Sequence, residues 1–142
     1  MSFEREDLRA DIEKALTGVH GIKSVWSYRF KPFEPQDTPC ANILPMVDEF
    51  DDTEMSQGFR RTETFRVEVL VARRTDDEDF AATCDRLYEN SRLALMRMRP
   101  CKARCAKVKI VRKSWAVDSD SQVPVVVIKF ALQIEFDESN HV

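Results

Sequence analysis

The residues able to do chemistry are few, and their spacing is poor for it. The two histidines, His20 and His141, fall at a turn and at the end of the chain of 142 residues, so no Ser–His constellation is expected. Three glycines, Gly18, Gly21 and Gly58, are too few and too scattered for a phosphate-cradling loop or a dinucleotide fingerprint. Cys40, Cys84, Cys101 and Cys105 would permit two disulfides in an oxidising compartment. Cys84, however, falls on the apolar stripe of an expected helix, and a cytoplasmic chain with an ample core keeps its thiols reduced. Cys101 and Cys105 form a single loosely spaced pair, short of the four ligands of a structural zinc site. The expectation is a protein that is not an enzyme and that carries neither cofactor nor metal.

Charge is more informative than nucleophiles. Asp48, Glu49, Asp51, Asp52 and Glu54 concentrate acid in one short stretch. Calcium favours such oxygens, yet their spacing matches no calcium loop and no glycine provides the turn, so a solvated acidic loop is expected. Arg97, Arg99, Lys102, Arg104, Lys107, Lys109, Arg112 and Lys113 then follow one another without an intervening acid. Three readings of this basic stretch stay open: nucleic-acid binding, pairing with the acidic loop within or between subunits, and plain solubility. A sheet that binds single-stranded RNA presents aromatic rings on its open face, whereas the outward positions of the expected central strand are Thr64, Arg66, Glu68 and Leu70. Specific nucleic-acid binding is therefore not expected. Phe50, Met55 and Phe59 flank a polar loop that no core needs, and methionine and aromatic residues are enriched at protein interfaces. The candidate subunit-interface residues are Asp48, Glu49, Phe50, Asp51, Asp52, Met55, Phe59, Arg97, Arg99, Lys102 and Arg104.

Composition sets the frame around them. The chain is 43% hydrophobic and 33% charged, enough for one core and a well-solvated exterior. The 22 basic residues are outnumbered by 25 acidic ones, for a net charge of −3, which gives no general attraction to nucleic acid. The start, Met-Ser-Phe-Glu-Arg-Glu-Asp, lacks a secretory pattern, and no stretch reaches the ~20 apolar residues of a membrane span. A cytoplasmic location is expected.

Periodicity places the elements. Phe3, Leu8, Ile12, Ala15 and Leu16 predict a helix over 3–16, closed by Gly18. Ile22, Ser24, Trp26, Tyr28 and Phe30 alternate as a strand over 22–30, and a second strand is expected over 41–50, with Pro45 marking an edge or a bulge. Residues 51–58 are expected to form a mobile loop. Phe65, Val67, Val69 and Val71 make the inward face of a strand over 59–72. Thr75 and Glu78 form a capping box for a second helix, which carries Phe80, Cys84, Leu87, Tyr88, Ser91, Ala94, Leu95 and Met98 on one stripe and stops at Pro100. Strands follow over 106–117 and 125–136; in the latter Val126, Ile128, Phe130, Leu132, Ile134 and Phe136 share one face. Trp26 and Trp115 read as core or sheet-face packing. One α+β domain spanning 1–142 results, a mostly antiparallel mixed sheet with two helices packed on one face.

This layout resembles the tail terminator (tail completion) proteins of tailed bacteriophages, which include lambda-type minor tail proteins. The resemblance covers nearly the whole chain. It rests on Thr17-Gly18-Val19-His20-Gly21-Ile22, Leu44-Pro45, the run from Phe65 to Val71, Arg86-Leu87-Tyr88 and the closing run from Phe130 to Phe136. It implies a non-enzymatic subunit of a hexameric ring at the head-proximal end of the tail tube. Such a ring ends tail polymerisation and offers a surface to the head. The implied partners are further copies of the chain, the tail-tube protein and a head-completion or neck protein, met first in the host bacterial cytoplasm and then in the virion tail. Two alternatives remain: a head–tail connector, and a small-ligand or nucleic-acid binding module.

Overall fold

The computed structural model describes residues 5–45, 60–73, 79–100, 107–118 and 123–137. Helix α1 spans Arg5–Thr17, strand β1 Ser24–Ser27, β2 Cys40–Pro45 and β3 Arg60–Ala72; helix α2 spans Phe80–Met96, β4 Lys107–Asp118 and β5 Val125–Asp137. The five strands form one sheet in the order β1-β2-β3-β5-β4. β1 and β2 run parallel, and every other neighbouring pair is antiparallel. The expected α+β architecture is the observed one.

Period-two alternation explains which side of the sheet is covered. Phe65, Val67 and Val69 of β3 stand opposite Leu132, Phe130 and Ile128 of β5, and Ile43 and Ala41 of β2 continue the same rows. All these side chains are buried. Against them lie Leu8, Ile12 and Leu16 of α1 and Cys84, Leu87 and Leu95 of α2, in one core cluster. Their spacing puts each set on one stripe of its helix. Both helices thus cover the same face, and burying each large apolar side chain contributes about 1.5–3 kcal/mol. Close approach of the two helical regions explains a glycine. Gly21 has φ +100°, and a Cβ there would sit 3.1 Å from Leu87 Cδ2.

The connection from β3 through α2 to β4 leaves room for β5 to insert between the two strands it joins. α1 is tied to β3 by Arg5. Its guanidinium donates to Glu63 Oε2 (2.5 Å) and to the Thr64 carbonyl (2.7 Å), and lies 4.0 Å from the Phe65 ring centroid. Among the described residues, no helix is long and apolar enough to cross a membrane.

Some boundaries differ from expectation for identifiable reasons. β1 stops at Ser27 rather than Phe30, because Tyr28 adopts φ 56°, a left-handed backbone that no strand continues through. Trp26, Tyr28 and Phe30 consequently do not share a buried face; they are 40%, 37% and 78% exposed. β2 lies between β1 and β3, yet Pro45 itself has the open flank expected of an edge position. It is tolerated because the short β1 pairs only with Cys40–Ile43 and ends before reaching it. α2 ends at Met96, short of Pro100, with the Arg97 amide bonded to the Leu93 carbonyl. The expected capping box of Thr75 and Glu78 lies outside the described residues, as do Phe3 and the loop 51–58.

Candidate functional site

Strand β4 gathers most of the basic stretch that falls within the described residues. Lys107, Lys109, Arg112 and Lys113 are all exposed on it, and Arg97 and Arg99 are exposed just beyond α2. Lys102 and Arg104 lie outside the described residues, as do Asp48, Glu49, Phe50, Asp51, Asp52, Met55 and Phe59. Pro45 and Arg60, which bracket the acidic stretch, lie at the end of the sheet where β4 begins: Arg60 pairs with Asp137, and Lys107 with Glu135.

A single irregularity sorts the side chains of β4. Ile110 faces Leu132, but Arg112 faces Ala131, so Val111 is an extra residue and the strand changes phase there. Before it, Val108 and Ile110 lie on the helix side with Ile134 and Leu132. After it, Lys113, Trp115 and Val117 take that side, opposite Phe130, Ile128 and Val126. Without the bulge, Arg112 would point toward the helices and Trp115 away from them. With it, Arg112 joins Lys107 and Lys109 on the helix-free face, and the Trp115 ring packs 5.4 Å from Tyr88. Trp115 is still 45% exposed and Val117 68% exposed, so α2 covers this end of the strand incompletely. The expected sheet-face role of Trp26 and Trp115 is the observed one, though neither is core.

The electrostatics of β4 are sparsely compensated. Lys109 Nζ lies 3.6 Å from Glu135 Oε2, an exposed contact worth about 0–1 kcal/mol. On α2, a hydrogen bond from Arg92 holds the Glu89 carboxyl below its usual range, with smaller help from the charges of Arg92 and Lys113. Lys113 therefore feels an acid on the helix side, while Lys107, Lys109 and Arg112 present their charge on the other.

The helix-free face has a second feature, built by residues 28–39. Arg29 is held between aromatic rings, 4.7 Å from Trp26 and 4.1 Å from Phe33, and donates to the Pro32 carbonyl and to Asp37. Its backbone is clasped by Asn42: the Arg29 amide donates to Oδ1 (3.3 Å), and Nδ2 donates to the Arg29 carbonyl (2.8 Å). Phe33 thereby stands over the sheet, where it lines an open cleft of ≈ 530 Å³ with Glu68, Leu70, Val127 and Lys129. A smaller hollow of ≈ 280 Å³ on its other side adds Phe30 and Arg66. Face aromatics are expected on strands, whereas Phe33 is carried by the segment between β1 and β2. The aromatic–basic run Tyr28-Arg29-Phe30-Lys31-Pro32-Phe33 is the sign of this feature in the sequence.

The same loop buries Cys40. Burial, and secondarily the nearby Asp37 carboxylate, push its thiol from 9.0 up to about 12, with Arg29 opposing. Such a thiol stays protonated and is no nucleophile at neutral pH. The folded state holds this proton above the pH at which the unfolded thiol loses it. Stability from this group is thus intact below about pH 9 and falls as pH rises toward 12. Denaturant midpoints should decline across that window and decline less in Cys40→Ala. An equal decline in both proteins would assign the loss elsewhere. Cys40 and Cys84 are buried and stand outside any disulfide, and Cys101 and Cys105 lie outside the described residues.

Compared with known proteins, the chain matches no protein-family model and no curated sequence.

Proposed function

We propose that this protein is a non-enzymatic structural subunit of a tailed bacteriophage or prophage. It closes into a ring at the head-proximal end of the tail tube, ends tail polymerisation there and provides the surface on which the head is joined. The order and lengths of the elements support the reading through their resemblance to tail terminators. The observation that carries it is the basic, partly apolar edge strand β4, a surface suited to a protein neighbour rather than to a substrate. A head-to-tail ring needs two different patches on each subunit. In this proposal the acids of 48–54 meet the bases of 97–113 on the next copy, with Phe50, Met55 or Phe59 adding apolar contact. Charge then sets register and rate while the apolar residues set affinity. The further partners are the tail-tube protein and a head-completion protein.

Light scattering on the eluting protein and electron microscopy test this together. A six-fold annulus at high protein concentration, weakened by added salt and weakened more by Phe59→Ala, is the expected result. Reversing Asp51 and Asp52 to lysine should abolish rings while leaving the circular dichroism of the subunit unchanged. Rings that form as well from that double variant at low salt would refute the paired patches. A chain that stays monomeric at every concentration would refute the ring itself. The second reading, a small-ligand binding module, is favoured by the ≈ 530 Å³ cleft beside Phe33, and a monomer would move weight to it.

A further inference from the structure

We infer that the outer edge of β4 receives an added strand from a protein partner whose segment alternates apolar and acidic residues. Among the described residues β4 pairs only with β5, so the backbone of Lys107–Asp118 has an outer edge with no strand beside it. The opposite edge of the sheet, β1, is only 4 residues long. Main-chain hydrogen bonds to such an edge supply affinity for an extended segment, and the side chains flanking it supply specificity.

The pleat dictates the chemistry of that segment. Around the bulge at Val111, β4 turns Val108, Ile110, Lys113, Trp115 and Val117 to the helix side and Lys107, Lys109 and Arg112 to the other, followed there by Ser114, Ala116 and Asp118 at the far end of the strand. An added strand alternates in step with its neighbour, so one set of its side chains lies beside the exposed Trp115 and Val117. The other set lies beside three bases, of which Lys109 alone has a carboxylate drawn to it among the described residues, that of Glu135. Apolar residues suit the first row and acids the second.

The same arrangement excludes competitors. Lysines and a bulge on an edge strand oppose pairing with a like edge, because a second β4 would bring further bases beside these bases. An acidic strand meets no such barrier, so the edge discriminates by charge. RNA is disfavoured along the basic row itself, which carries no aromatic residue on which a base could stack; Phe30 and Phe33 share that face but stand beside Glu68 and Leu70, away from Lys107, Lys109 and Arg112. The bases used here belong to the stretch that the proposed ring sets against the acids of the next copy, so the inference concerns the edge of the unassembled subunit and is tested there.

The test uses the full chain at a concentration where light scattering shows it monomeric, so that failure of ring assembly does not affect it. A fluorescein-labelled peptide alternating valine and glutamate is titrated and followed by anisotropy, with hydrogen exchange locating the contact. Saturable binding with slowed exchange in 107–118 is expected, weakened by salt and weakened about tenfold or more by Arg112→Glu or Lys107→Glu. Both positions are exposed, and circular dichroism checks that each variant is folded. A twin peptide with lysine for glutamate, and one N-methylated along one backbone edge, should not bind. Equal binding of the lysine twin would show mere apolar adhesion, and equal binding of the N-methylated peptide would exclude strand addition. Either result, preference for an oligouridylate over the acidic peptide, or no saturable binding at all, overturns the inference.

Discussion

Phe130→Ala is expected to cost about 3–5 kcal/mol, the usual loss when a buried aromatic side chain leaves a cavity that its neighbours cannot close. Phe130 is 0% exposed and sits in the middle of β5, opposite Val67 on one side and Lys113 on the other. Its ring stacks 5.6 Å from Tyr88, so its removal loosens the seat of α2 as well as the sheet. Relief by collapse is limited because Val67 and Ile128 are held by the ladder on either side. Urea unfolding of the single variant measures the loss. A change below about 1 kcal/mol would mean that the site repacks almost completely, contrary to a close-packed layer.

Asn42→Ala should cost about 1–3 kcal/mol by a different route. Asn42 is 2% exposed, and its amide is the partner of both the Arg29 amide and the Arg29 carbonyl. Alanine removes little volume, but it strips two polar groups of their partner where the chain turns back after β1. The expected signature is local as well as global, with faster amide exchange at Arg29 and across 28–39 while the β3–β5 core keeps its protection. Asn42→Asp should recover less than half of the loss, because a carboxylate accepts from the Arg29 amide but cannot donate to its carbonyl. A stability equal to the parent for Asn42→Ala would show that water replaces both bonds.

These two residues mark opposite degrees of legibility. Phe130 was readable because an uninterrupted period of two identifies the inward face of a strand, and Phe65, Val67 and Val69 were readable by the same rule. The stripes of α1 and α2 followed from helical spacing. Asn42 was not readable: a polar residue between Ala41 and Ile43 carries no local sign that it will clasp the backbone of Arg29. The aromatic alternation from Ile22 to Phe30 looked like a strand, but only its first part is one. Alternation reports where side chains point only while the backbone stays extended, and Tyr28 leaves that region.

The basic stretch shows the division most clearly. That Lys107, Lys109, Arg112 and Lys113 lie on a strand followed from the sequence itself, and a phase slip between Ile110 and Trp115 was present in it to be noticed. By itself the sequence determined the kind and the number of the long elements and the inward faces of α1, α2, β3 and β5, because propensity and periodicity act between residues close along the chain. Only the tertiary structure decided that β5 inserts between β3 and β4, which leaves β4 at the edge and places Lys107, Lys109 and Arg112 on one side of the sheet and Lys113 and Trp115 on the other. Strand neighbours are chosen by backbone hydrogen bonds between distant segments. A pattern of period two says which face is buried, and nothing about which strand lies alongside.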